Sequence, residues 1–242
     1  MKKLFGVSCI LLISVLLFSC NRVSNQYITR LQRMEENVDK PTTIEEYKEA
    51  IEKYETRVKD IQLAQTQIGI WYKLLGQKYM DVTPPMYGEA LKAFQEALNY
   101  YPSNPNLYYY VGICSGYMYH KEKDGTGNME MAGKYLTLAE NAYLRAIQLD
   151  DRFVNALYGL SIVYVYETIE PERAIPYLEK LLIIDTKHID AMSVLATAYY
   201  LNGEFDKTLE ILDKIIDTTK SAETKSIAEE KKKAVLEQTP FQ

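Results

Sequence analysis

The sequence predicts an all-α protein assembled from repeated helix pairs, and three observations carry that reading. Apolar residues recur three and four positions apart along nearly the whole chain, and no run alternates with period two. The 11 Gly and 8 Pro among 242 residues are too sparse to divide the chain into short strands. A motif of large and small residues also returns at Tyr72, Tyr108, Leu157 and Met192. Composition agrees: 47% hydrophobic and 25% charged residues suffice for a core and exclude a wholly disordered or collagen-like chain. A net charge of −5 argues against a nucleic-acid partner, whose phosphates demand clustered cations. With 2 His and 3 Cys the chain lacks the ligands of a zinc ribbon or the half-cystines of a disulfide scaffold, and no metal site is expected. The 21 Tyr stand out against 6 Phe and 1 Trp.

Met1-Lys2-Lys3 is followed by an uncharged stretch from Leu4 to Ser19, the arrangement of an export signal. A permanent membrane span is the competing reading. About 15 apolar residues at ~1.5 Å each reach only ~22 Å, short of the ~30 Å hydrocarbon layer. Leu17-Phe18-Ser19-Cys20 resembles the lipobox of bacterial lipoproteins. That resemblance implies cleavage after residue 19 and lipidation of Cys20, a covalent lipid being the only attached group expected and no other cofactor. It also implies residence in the bacterial cell envelope, anchored to the outer or inner membrane with the body periplasmic, and Asn21 is compatible with sorting to the outer membrane. Loss of residues 1–19 removes Lys2 and Lys3 and shifts the net charge from −5 to about −7. Cys114 is then the one free thiol, expected as a small core residue.

Residues 20–42 read as a lipidated terminus, a polar linker and a short amphipathic segment at Gln26–Glu36. Residues 43–68 read as flanking helices, the first opening on the capping box Thr43-Ile44-Glu45-Glu46 and running to about Asp60, the next starting near Gln62.

The motif Tyr72-x2-Leu75-Gly76-x2-Tyr79, with Ala90-x3-Phe94, Ala97 and Pro102 behind it, closely resembles the tetratricopeptide repeat (TPR). Three weaker copies follow. They are Tyr108-x2-Val111-Gly112 with Ala139-x3-Tyr143, Leu157-x2-Leu160-Ser161-x2-Tyr164 with Ala174-x3-Leu178, and Met192-x2-Leu195-Ala196-x2-Tyr199 with Thr208-x3-Leu212. The array spans 69–222, in units 69–104, 105–153, 154–188 and 189–222. The second unit carries some fifteen extra residues around His120–Lys134, with Lys123–Asn128 read as a flexible loop. The resemblance implies a right-handed superhelical solenoid of antiparallel helix pairs, about four repeats plus flanking helices. Gly76, Gly112, Ser161 and Ala196 are small where helices cross, and residues 223–242 supply a capping helix and tail.

Little in the chain suggests chemistry. Gly127–Lys134 has the wrong spacing for a phosphate loop, Lys123–Asn128 lacks the carboxylates of a calcium loop, and His120 and His188 each fall near a predicted helix end. No catalytic grouping appears and no enzyme is expected. The functional candidate is the groove lined by the first helix of each unit: Tyr109, Ile113 and Tyr117, then Tyr158, Ile162, Val165 and Tyr166, then Tyr200. Its aromatic character suits an apolar or mixed peptide, from another envelope protein or protein segment, rather than a carboxylate tail. Alternative occupants are Gln26–Glu36 and a second copy in a homo-oligomer. Alternative roles are an accessory of a transport system handling a hydrophobic ligand, or a lipoprotein of outer-membrane or pilus assembly.

Overall fold

The computed structural model describes residues 41–238; the expected signal, Cys20 and the Gln26–Glu36 segment lie outside them. Among the described residues there are nine α-helices and no strand. The chain divides at Ile61 and Gln62 into two units. Helix α1 (Ile44–Asp81) runs through that point without interruption. Two helices meeting near Asp60 were expected, but Asp60-Ile61-Gln62 holds neither Gly nor Pro, and nothing local stops the hydrogen-bond ladder.

Within residues 41–61 the capping box is formed. Thr43 Oγ1 accepts from the Glu46 amide at 3.2 Å, and the Glu46 carboxylate accepts from the Thr43 amide at 3.1 Å. The Thr42 amide donates to the same carboxylate, the chief reason the Glu46 carboxyl lies below its ordinary pKa.

Within residues 62–238 the elements pair in sequence order. The second half of α1 packs on α2 (Tyr87–Tyr100), α3 (Pro105–His120) on α4 (Met129–Leu149), and α5 (Val154–Ile162) on α6 (Pro171–Ile184). Then α7 (Ile189–Leu201) packs on α8 (Phe205–Thr218), and α9 (Ala222–Gln238) lies against α8. This is an all-α, TPR-like solenoid. Its helices start where the chain supplies caps. Asn104 accepts from the Asn106 amide ahead of Pro105, Asn128 from the Met131 amide, and His188 Nδ1 from the Ala191 amide at 3.1 Å.

Small residues sit where the spacing placed them. Ser161 and Ala196 are buried. A Cβ on Gly76 would stand 2.7 Å from the Phe94 ring, and one on Gly112 2.6 Å from the Tyr143 ring. Tyr143 is a shared wedge, because a Cβ on Gly159 of the next hairpin would meet the same ring at 2.7 Å. The core is built from these contacts with Leu107, Leu157, Leu160, Leu178, Leu181 and Leu195, all nearly inaccessible.

The insertion in the second hairpin is folded, which corrects the expected loop. After α3 the chain makes a π-helical turn, Lys121–Thr126, then crosses Gly127 at φ 70° to the Asn128 cap. The Asn128 amide donates to the Glu122 carbonyl at 3.0 Å, and Thr126 Oγ1 to the Glu122 carboxylate at 2.7 Å. The extra residues thus lengthen the helices of this hairpin instead of leaving them. A second π turn, Val163–Glu167, continues α5.

Candidate partner-binding groove

Helices α3 and α5 face each other across α4 and leave a cavity of about 450 Å3 between them. Tyr109, Ile113 and Tyr117 line it from α3, Tyr158 and Ile162 from α5, and Leu136 and Tyr143 from α4. Five of the eight groove residues expected from the sequence therefore meet in one place.

The rings hold one another in position. Tyr109 packs edge-on to Phe153 at 5.4 Å and tilted against Tyr143 at 6.2 Å. Tyr117 stacks on Tyr87 at 3.8 Å, and Tyr158 lies 5.4 Å from the His188 ring. Burial is the main reason the Tyr109 and Tyr158 hydroxyls have raised pKa values, with Tyr110 adding to the first and Asp190 and Tyr166 to the second. Burial also dominates at Tyr87, pushed up to about 12. Tyr109, Tyr117 and Tyr158 thus line the cavity while packed against other rings, so a partner would bind them at small entropic cost.

Three groove residues fall elsewhere. Tyr166, expected on this face, is exposed at 46% and does not line the cavity, whereas Val165, placed beside it, is fully buried. The π turn is the reason: its i to i+5 hydrogen bonding rotates each residue less than an α-helix does, so a projection at 3.6 residues per turn misplaces them. Tyr200 belongs to a second cavity of about 280 Å3, with Ala196, Thr197, Thr208, Leu212, Lys231 and Val235. Helix α9 closes that cavity and packs over the fourth hairpin through Ala228 and Val235.

A polar end of the first cavity was not legible in the sequence. Glu167, from the π turn after α5, and His120, from the end of α3, both line it. Glu167 lies 3.2 Å from His120 Nε2 and 3.6 Å from Lys123 Nζ, and His120 Nδ1 lies 3.5 Å from Asp124. These residues are distant in sequence and meet because both hairpins carry π turns at the same end of the groove. Cys114 is fully buried, and burial pushes its thiol up to about 12, which removes the thiolate a nucleophile needs.

A tetratricopeptide-repeat family model matches residues 170–226, from the start of α6 into α9. The repeat class therefore rests on the fold and on that segment together. A TPR repeat-containing protein of Borreliella burgdorferi is 27% identical over 192 residues, covering 79% of this chain and 78% of its own length. Among solved structures, the MamA protein superposes with a TM-score of 0.53 at 22% identity, over 76% of this chain and 85% of that one. MamA 41-end from Desulfovibrio magneticus RS-1 also gives 0.53, at 17% identity, over 70% and 89%. At these identities the likeness is one of fold.

Proposed function

We propose that this chain is a protein-protein interaction scaffold, lipid-anchored through Cys20 in the bacterial cell envelope, that receives an apolar or mixed peptide segment of an envelope protein in the groove between α3 and α5. The observation that carries the reading is the 450 Å3 cavity walled by five partly exposed or anchored groove residues, Tyr109, Ile113, Tyr117, Tyr158 and Ile162. TPR-type arrays stack their hairpins so that such a concave surface is continuous, which is the architecture of a binding platform. The polar pair Glu167 and His120 closes one end and would set the register of a bound segment.

The anchor and the groove are tested separately. Palmitate labelling should modify the wild type and fail in Cys20→Ala; labelling that persists removes the anchor. A photo-crosslinking residue in place of Tyr158, in cells, should join the chain to one partner protein, and Ile113→Asp should abolish the adduct at unchanged melting temperature. Absence of any adduct rejects the groove reading.

A role in transport of a hydrophobic ligand has its own observation, the almost wholly apolar cavity under α9. Native mass spectrometry of the purified chain would then show a retained small molecule, and bare protein would exclude it.

A further inference from the structure

Between Ile44 and Ile61, helix α1 carries Ile44, Tyr47, Ile51, Tyr54, Val58 and Ile61 at spacings of three and four in strict alternation. These are the a and d positions of a heptad, a narrow seam rather than the wider stripe of a helix buried in a globular core. Five of the six are more than half exposed, from 51% at Val58 to 69% at Ile44. A run of this kind left in water signals a missing partner. The e positions beside the seam are Lys48 and Glu55, and the g positions Ala50 and Arg57.

These flanking charges choose the partner's direction. In a parallel pair each g residue faces the following e residue, so Ala50 would meet Glu55 and Arg57 would meet Gln62, with no ion pair. In an antiparallel pair e faces e, and Lys48 of each copy meets Glu55 of the other, twice by symmetry. The register follows as well. A slide of one heptad one way sets Glu55 against Glu55, and the other way Lys48 against Lys48. The one register free of both clashes fills every core layer, with Ile44 on Ile61, Tyr47 on Val58 and Ile51 on Tyr54.

We infer that residues 44–61 form an antiparallel two-helix coiled coil with a second copy of this chain. The competing occupant is the chain's own segment Gln26–Glu36, which lies outside the described residues. Eleven residues, even if all were helical, would span only ~17 Å, whereas the seam from Ile44 to Ile61 is ~26 Å long, so that segment would leave part of it bare.

The test uses the full-length chain in its native membrane with an added oxidant. Tyr47→Cys/Val58→Cys should give a disulfide dimer on a non-reducing gel. Neither single variant should do so, because identical positions lie far apart in an antiparallel pair and a disulfide needs Cα atoms within about 7 Å. Lys48→Glu should cut the dimer yield about tenfold and Lys48→Glu/Glu55→Lys should restore it. Strong dimers from Ile44→Cys alone, whose two copies lie ~26 Å apart in the antiparallel register, would establish a parallel pair and overturn the proposal. An intrachain bond in Leu31→Cys/Val58→Cys, or no dimer in any variant, would overturn it as well. Because these readouts lie on α1, they are independent of whether the α3–α5 groove binds its peptide.

Discussion

The third hairpin, α5–α6, and the fourth, α7–α8, follow one plan and part at a single corner. Tyr164 and Tyr199 stand 35 residues apart at matching places. Each hydroxyl reaches back to the preceding hairpin, Tyr164 donating to Glu140 at 2.9 Å and Tyr199 to Glu179 at 2.6 Å. Each ring lies under a cation from the following helix, Arg173 at 4.0 Å and Lys207 at 5.0 Å. Each cation pairs with the glutamate that opens that helix, Glu170 or Glu204. The amides of those two glutamates close the turn on the tyrosine carbonyl at the same 2.8 Å. Between tyrosine and glutamate the third hairpin holds one residue more, because Ile169 and Gly203 are 34 apart. The π turn absorbs it, with the Thr168 amide bonded to the Val163 carbonyl at 3.0 Å. The left-handed position falls on Gly203 in one hairpin, at φ 77°, and on Ile169 in the other, at φ 57°. The clasp sets where the helices cross and leaves the corner free to take an insertion. That insertion is what brings Glu167 to His120 at the end of the groove.

The comparison breaks most severely at the wedge beneath the third hairpin. Tyr143→Ala should cost about 4 kcal/mol in urea titrations, because its ring fills the space that Gly112 and Gly159 leave. Gly159→Val should cost about 2–3 kcal/mol by overpacking against the same ring. Val is already tolerated at the matching position, Val194, where no such ring intrudes. The double variant should therefore lose less than the sum of the two, and strict additivity would show that the wedge is not shared.

The clasp comes next. Tyr164→Phe and Tyr199→Phe should each cost about 1–2 kcal/mol by removing a donor from the Glu140 or Glu179 carboxylate, Glu140 keeping Arg173. Tyr164 should be the larger, since its hydroxyl also accepts from Arg173 at 2.8 Å. Equal values would mean that Arg173 adds nothing. A smaller change tests the corner. Ile169→Gly should raise stability by about 1 kcal/mol, and Gly203→Ile should lower it by about 1–2 kcal/mol, each read as a shift in melting temperature. A loss on Ile169→Gly would mean that this side chain packs favourably despite its exposure.

The smallest effect at ordinary pH is alkaline sensitivity. Burial, reinforced by the hydroxyl's bond to Glu140 or Glu179, holds Tyr164 and Tyr199 well above their ordinary value of 10.0. A raised pKa in the folded state means that unfolding releases protons once pH passes 10, so stability holds below that point and falls above it. Melting temperature should be flat from about pH 7 to 9 and drop beyond 10, and Tyr164→Phe should soften the drop. A decline starting near neutrality would point to other groups.

Much of this plan was legible in the residues. The recurrence of Leu75-Gly76, Val111-Gly112, Leu160-Ser161 and Leu195-Ala196 marks helix crossings, because a crossing tolerates little beyond a Cβ, and that demand is local and periodic. Tyr109, Ile113, Tyr158 and Ile162 could be placed in a common groove for the same reason. The projection failed at Val165, Tyr166 and Tyr200. A one-residue insertion changed the helical pitch at the first two, and a helix from the far end of the chain covered the third. The unbroken α1 also escaped notice, since Asp60 resembles a stop only when its neighbours are ignored.

Sequence alone determined the helical class, the repeat spacing, the cap at Thr43, and the residues that must be small, all of which depend on a few consecutive positions. Only the tertiary structure decided that Tyr143 serves two hairpins, that the second hairpin's insertion is helical, that Ile169 bears a glycine's backbone, and that Glu167 meets His120. Those outcomes depend on which of several equally local options packs without clash against helices remote in the chain, and packing of that kind leaves no periodic trace in the order of the residues.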